Sequence, residues 1–196
     1  VKYLSFDIET TGTEVKAPDR ILMLSAVVED TSNLLPLDKL PHFTCFVAQD
    51  TYKGEAFALA LNAWILKEIA QWEKTYWKPQ ALQYIPKYKV YSGEGWTDPF
   101  LTFLKEHFGK DRVTMAGKNV GTFDFQFLPP HVQNRFRHRM IDPGSLFCNF
   151  DKEVPPSLDE ICQPLGMTAV THDAYEDALK VIEVIRRHPR FPNLAS

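Results

Sequence analysis

The chain has 196 residues, 44% of them hydrophobic, and a formal net charge of −3, which argues against a protein that wraps a long nucleic-acid duplex. No apolar run approaches the ~20 residues of a membrane helix, and the opening VKYLSFDIETTG lacks an apolar signal segment with a small-residue cleavage site. Cys45, Cys148 and Cys162 are odd in number and lack C-x-x-C spacing, so reduced thiols and a cytoplasmic, intracellular location away from membranes are expected.

In chain order, VKYLSFDIE reads as a strand ended by the turn signal Thr10-Thr11-Gly12. RILMLSAVVED is a near-continuous apolar run, as in a strand buried on both faces. A loop carrying Asn33, Pro36 and Pro41 precedes a third strand, HFTCFVAQ, and three successive strands suggest an antiparallel meander. ALALNAWILKEIAQWEK places Leu61, Ile65, Ile69 and Trp72 at helical spacing. From Thr75 to Trp96 the text is aromatic and aperiodic, an irregular excursion or an insertion within the domain, and residues about 50–97 as a whole read as less regular. PFLTFLKEHFG predicts a helix with Asp98 as N-cap, Pro99 at its first position and Gly109 past its end.

The last third alternates. RVTMAG predicts a short strand; GTFDFQFL predicts a helix capped by Thr122, interrupted at Pro129-Pro130 and resumed in HVQNRFRHR. RMIDPGSLF offers a further short strand and turn. Ser157 and Glu160 form a capping-box pattern at SLDEICQPLG, and AYEDALKVIEVIRRH aligns Ala174, Ala178, Val181, Ile182 and Ile185 on one helical face. No repeat or linker interrupts the text, so one domain over residues 1–196 is expected, α/β in class, with a mixed sheet covered by helices.

Three places carry candidate chemistry. Asp7 and Glu9 lie two apart on a strand and so share one side of it. Two exposed acids at a strand end, or a pair facing a hard divalent cation, would both leave this pattern. Asp124 sits among Phe123, Phe125 and Phe127, where it either stabilises a helix start or faces a site; Gly117 and Gly121 nearby allow close approach. His172 and Asp177 in THDAYEDA meet only if the histidine lies in a loop and leans over the first turn of the next helix. A solvent-exposed loop histidine and a proton acceptor near neutral pH are both consistent with that position. Asp173 and Glu176 read as helix-start or surface acids.

Taken together and in this order, FDIETTG, NVGTFDFQFL and HDAYEDA resemble the three motifs of the DnaQ-like (DEDD) exonucleases. The histidine five positions before Asp177 resembles the DEDDh branch; the tyrosine branch would want Tyr at position 173, where this chain has Asp. Met140 to Phe147 and SLDEICQPLGM also fit, whereas residues about 50 to 97 compare less well, and Gly117-Lys118-Asn119 stands where many members carry His-Asn.

The resemblance implies an RNase H-like mixed five-stranded sheet, three antiparallel strands continued by shorter parallel ones, with helices on both faces. It implies a metal-dependent 3′-5′ exonuclease that releases nucleoside 5′-monophosphates from single-stranded DNA or RNA. Asp7, Glu9, Asp124 and Asp177 would hold two Mg²⁺ or Mn²⁺ ions, and His172 would take the proton of the attacking water. Ile8, Thr10, Thr11, Asn119 and Phe123 would meet the substrate, although Phe123 also suits core packing. The same resemblance is compatible with a proofreading subunit beside a polymerase, with a homo-oligomer, or with an inactive binding module. The basic runs Arg135–Arg139 and Arg186-Arg187 suit either phosphate steering or a solvated helix face. Trp72, Tyr76, Trp77, Tyr84, Tyr88, Tyr91 and Trp96 suit base stacking or, preferably, packing.

Overall fold

The apolar runs near the start form the strands that their composition favours. In the computed structural model, which describes residues 1–15, 20–77 and 84–194, β1 (Lys2–Thr10), β2 (Ile21–Asp30) and β3 (His42–Ala48) make the expected antiparallel meander. Next come α1 (Ala56–Leu61), α2 (Ala63–Trp77), β4 (Lys89–Ser92), α3 (Thr97–Phe108) and β5 (Met115–Ala116). Short helices α4 (Pro130–Gln133), α5 (Pro143–Leu146) and α6 (Leu158–Cys162) lead to α7 (Ala174–Arg186). The five strands form one mixed sheet in the order β4-β3-β2-β1-β5.

Strand alternation divides the core. Leu4, Phe6 and Ile8 of β1 pack with Phe100, Phe103 and Leu104 of α3 on one face. Tyr3, on the other, packs with Ala178, Val181, Ile182 and Ile185 of α7, the helical stripe read from sequence. Beside it, Ile65 and Ile69 of α2 cover Leu22, Met23 and Phe46. The Ser5 hydroxyl donates to the Ala178 carbonyl at 2.7 Å and sets α7 against β1. Asp7 and Glu9 follow Tyr3 and Ser5 in alternation, so they project on the α7 face. The β1–β2 register slips between Glu9 and Thr10, where regular pairing ends.

Several local expectations are corrected. The segment about 50–97 contributes α1, α2 and an edge strand: β4 runs parallel to β3, Cys45 opposite Lys89. Among the described residues, β5 alone continues the meander beyond β1, in parallel, and Ile141 adds a single bridge to Ala116. The helix over Leu61–Trp72 is divided at Asn62, which caps α1. Asp98 lies within the first turn of α3 rather than capping it, while Gly109 ends the helix at φ 61°.

Thr122 caps nothing. Asn119 takes a left-handed φ of 56°, its carbonyl accepts from the Thr122 and Phe123 N–H groups, and Asp124–Phe127 then form one 3₁₀ turn. HVQNRFRHR resumes a helix for one turn only, α4 (Pro130–Gln133), because Arg135 and Arg137 exchange backbone hydrogen bonds with Val113. Sheet-like pairing there satisfies groups that a helix would otherwise use. The Ser157–Glu160 capping box does form. Of the aromatic residues, Trp96 packs on Phe100, Tyr88 on Phe46 and Tyr91 on Phe43; the side chains of Tyr76 and Trp77 lie outside the described residues. Cys45, Cys148 and Cys162 are free thiols. Among the described residues, no helix is long and apolar enough to cross a membrane.

Candidate active site

Three segments deliver four carboxylates to one end of the sheet. Asp7 and Glu9 come from the last turns of the β1 pleat. Asp124 opens the 3₁₀ turn and is tied to β1, its Oδ1 accepting the Ile8 N–H at 3.1 Å. Asp177 projects from the first turn of α7, where its two oxygens accept the Thr171 and His172 N–H groups at 3.0 Å each. This bidentate clasp folds the preceding loop over the helix start.

His172 sits in that loop at a left-handed φ of 54°. Its carbonyl accepts the Trp64 indole N–H at 3.2 Å, so α2 and α7 hold the loop from both sides. The Nδ1 atom lies 4.0 Å from Glu9 Oε1. One donor atom each from Glu9, His172 and Asp177 falls within 4.8 Å of the others. Asp173 caps α7 through the Tyr175 N–H at 3.0 Å and accepts Lys87 Nζ at 2.7 Å, the helix-start role expected of it.

The electrostatics are strained without a counter-charge. Burial pushes Asp7 well above the usual carboxylate range, and the charges of Asp124, Glu9, Asp177 and Asp173 push it further. Burial raises Glu9 to about 8, Asp177 adding to the rise and a hydrogen bond from Asn62 opposing it. Burial also raises Asp124 to about 7, against the pull of its own and the Ile8 backbone N–H. Lys180 Nζ, 3.4 Å from Asp177 Oδ1, is the ammonium that reaches these acids. Buried oxygen donors converging with one imidazole, and short of positive charge, fit a hard divalent cation such as Mg²⁺ or Mn²⁺.

The acids line an open cleft of about 330 Å³ whose walls include Ile8, Thr10, Phe57, Asn62, Lys118 and Phe123. Phe123 is half-buried and packs edge-on against Phe127, 5.1 Å between centroids. Two expected substrate residues lie outside this lining. Thr11 is fully buried, its hydroxyl accepting the Arg20 N–H at 2.9 Å and its carbonyl the Glu55 N–H at 2.9 Å. Asn119 is exposed and donates its N–H to Asp142 Oδ2 at 2.8 Å.

Other residues of the cleft escaped sequence reading. Asn62 is 2% exposed, donates to the Thr10 carbonyl at 2.9 Å and keeps a buried, unpartnered Oδ1. Phe57 of α1 is 77% exposed at the cleft mouth. The buried Lys180 was legible in principle, as a lysine three residues after Asp177 on an otherwise apolar face. Lys118, whose role the sequence left open, bonds Asn119 Oδ1 at 3.0 Å and lies 3.8 Å from Asp142 Oδ1.

No protein-family model and no curated protein sequence matches the chain. Solved structures do. E. coli exonuclease I in complex with a dT13 oligonucleotide superposes with TM-score 0.57 at 19% identity, over 98% of this chain and 42% of that one. The zinc-bound complex of the same enzyme with single-stranded DNA gives 0.54 at 19%, over 99% and 42%. Cell-death related nuclease 4 gives 0.57 at 14%, over 95% and 62%. The chain thus spans less than half the length of exonuclease I. At such identities the likeness establishes the fold alone: an RNase H-like mixed sheet with flanking helices.

Proposed function

We propose that this chain uses its RNase H-like scaffold as a divalent-metal-dependent 3′-5′ exonuclease on single-stranded nucleic acid, releasing nucleoside 5′-monophosphates. One observation carries the reading: Asp7, Glu9, Asp124 and Asp177, from a strand, a 3₁₀ turn and a helix start, meet at one cleft with His172 beside them. The fold is shared with nucleases solved on single-stranded oligonucleotides, which favours the same class of ligand here.

The four acids are the residues that would hold Mg²⁺ or Mn²⁺. When bound, such a pair of ions activates water for attack on phosphorus and stabilises the departing 3′ oxygen. The protein's own work is positional. Asp177 and Trp64 fix the main chain of His172, leaving its half-exposed imidazole over Glu9 to accept the proton of the attacking water. Ile8 and Thr10 form the floor for the terminal nucleotide, Phe57 and Phe123 flank its base, and Lys118 offers a cation to its phosphate. Thr11 and Asn119 act one step back, by shaping the turns that carry their neighbours.

The test uses 5′-labelled single-stranded DNA and RNA with Mg²⁺ or Mn²⁺. A ladder receding from the 3′ end, abolished by EDTA and by Asp7→Asn, is expected. His172→Ala should lower kcat by about 10²–10⁴-fold with binding retained. Cutting within a circular strand, or binding without turnover under all conditions, would refute the reading.

A further inference from the structure

The sheet has a second charged feature, at the end remote from the acids. Around the start of β1 lies an open basin of about 660 Å³ walled by Lys2, His107, Phe108, Arg112, Arg137 and Arg139. Asp111 is the carboxylate among its lining residues, so the basin carries a formal +3 within a chain whose net charge is −3. Among the described residues, no carboxylate oxygen lies within 4.0 Å of Lys2, Arg112, Arg137 or Arg139. Their charges are therefore available to a ligand. Arg137 is held by its Nε–H on the Arg112 carbonyl at 2.9 Å, which leaves the rest of its guanidinium open.

The basin is connected to the cleft. Residues 136 to 141 run beside β5 in the β1 direction, through the parallel bridges Val113–Phe136 and Ala116–Ile141. They end at Asp142, which binds the Asn119 N–H and neighbours Lys118, a residue of the cleft wall. Arg137 and Arg139 thus begin an edge that ends at Lys118. Along β1, the five steps from Lys2 to Asp7 span about 17 Å.

We propose that this basin and edge form a second nucleic-acid contact, which holds the sugar–phosphate backbone of a strand whose 3′ end lies in the cleft. The inference rests on the exonuclease reading for its direction. Its chemistry is that of backbone binding: arginine and lysine side chains open to solvent, spaced along one edge. A strand that stays stacked, with a rise of about 3.4 Å per nucleotide, would need about five nucleotides to reach it. A stacked trinucleotide in the cleft does not arrive there.

The experiment compares the parent protein, Lys2→Glu/Arg139→Glu, and the charge-matched control Lys67→Glu/Lys74→Glu on α2. All four positions are exposed, and unchanged melting temperatures confirm folding. Binding of a 5′-labelled 15-nucleotide strand is followed by anisotropy in EDTA across a salt series, and hydrolysis of a trinucleotide is followed with Mg²⁺. The basin variant should bind the long strand more weakly and lose about 1.4 from the slope of log K against log salt, for two phosphate contacts at about 0.7 each. Its kcat/KM on the trinucleotide should equal the parent's, and the control should keep the parent slope. An equal loss in the control, an equal loss on the trinucleotide, or an unchanged slope overturns the proposal. So does intact strand binding with selective loss of polyglutamate binding, which would assign the basin to an acidic protein. If the parent shows the basin-dependent slope yet does not hydrolyse the trinucleotide, the exonuclease reading falls and the contact stands.

Discussion

At the residue scale, the site is governed by carboxylates that are costly to ionise where they sit. Asp7, Glu9 and Asp124 all titrate above the ~3.9–4.3 of unfolded carboxyls, burial being the leading cause in each. A group whose folded pKa is raised binds protons more tightly in the native state. Its stabilising contribution is complete below about pH 4 and disappears as pH climbs through about 7 to 8. In EDTA, calorimetry should therefore show the melting temperature falling between pH 5 and 8.5. Added Mg²⁺ or Mn²⁺ should reverse this, raising the melting temperature far more at pH 8 than at pH 5, because the cation needs ionised ligands. Asp124→Asn keeps an oxygen for the Ile8 N–H while removing a buried charge. At pH 8 without metal it should be more stable than the parent by about 1–3 kcal/mol, and the metal-induced gain should shrink. A parent protein whose metal-free stability is flat over this range would contradict the account.

At the scale of elements, the termini of helices and strands aim the chemistry. The loop before α7 is secured at its cap by Asp173 and at its first turn by Asp177. Asp173→Ala should cost about 1–2 kcal/mol in urea unfolding, whereas Asp173→Asn, which preserves the cap, should cost less. The loop after β1 is braced differently. A Cβ on Gly54 would lie 2.0 Å from the Thr11 carbonyl oxygen, so that residue must be glycine for the Glu55 N–H to reach Thr11. Gly54→Ala should destabilise by about 1–3 kcal/mol and impair the proposed nuclease activity by displacing the turn beside Glu9. Gly95→Ala, facing open space, provides the comparison and should be close to neutral.

At the scale of the whole molecule, the geometry of the site depends on α7 lying across β1 and β2 in one position. Apolar contacts supply most of the adhesion, but they are not directional. Direction comes from Ser5 on the Ala178 carbonyl and from Arg186, buried against Glu29 of β2 with a guanidinium–carboxylate contact of 2.6 Å. Burial raises the Glu29 carboxyl, Arg186 opposing the rise. Arg186→Met leaves that acid buried and alone, and should cost about 3–5 kcal/mol by equilibrium unfolding. Glu29→Leu/Arg186→Met should recover much of the loss. A double variant as unstable as the sum of its parts would mean that the pair has no coupling.

The sequence alone determined a good deal, wherever the information is local. The meander was visible because three apolar runs follow one another, α7 because its apolar stripe repeats at helical spacing, and the α6 start because Ser157 and Glu160 form a self-contained box. The chemical identity of the candidate donors was likewise in the text. β4 was not legible, since a four-residue edge strand with half-exposed side chains has no apolar period to announce it. Nor was the 3₁₀ turn at Asp124, because the left-handed Asn119 and cross-chain bonds override the helix propensity of the aromatic run.

Arg186 and Arg187 are adjacent in sequence, yet one is buried on Glu29 and the other is half-exposed on Glu183. Only the docking of α7 on the sheet separates their roles, and it removes Arg186 from any part in steering phosphate. The tertiary structure also brought Asn62, Trp64 and Lys118 to the acids. That convergence depends on strand pairing and burial between residues far apart in the chain, 52 positions for Asn62 and Thr10 and 108 for Trp64 and His172, interactions with no trace in any short stretch of chain.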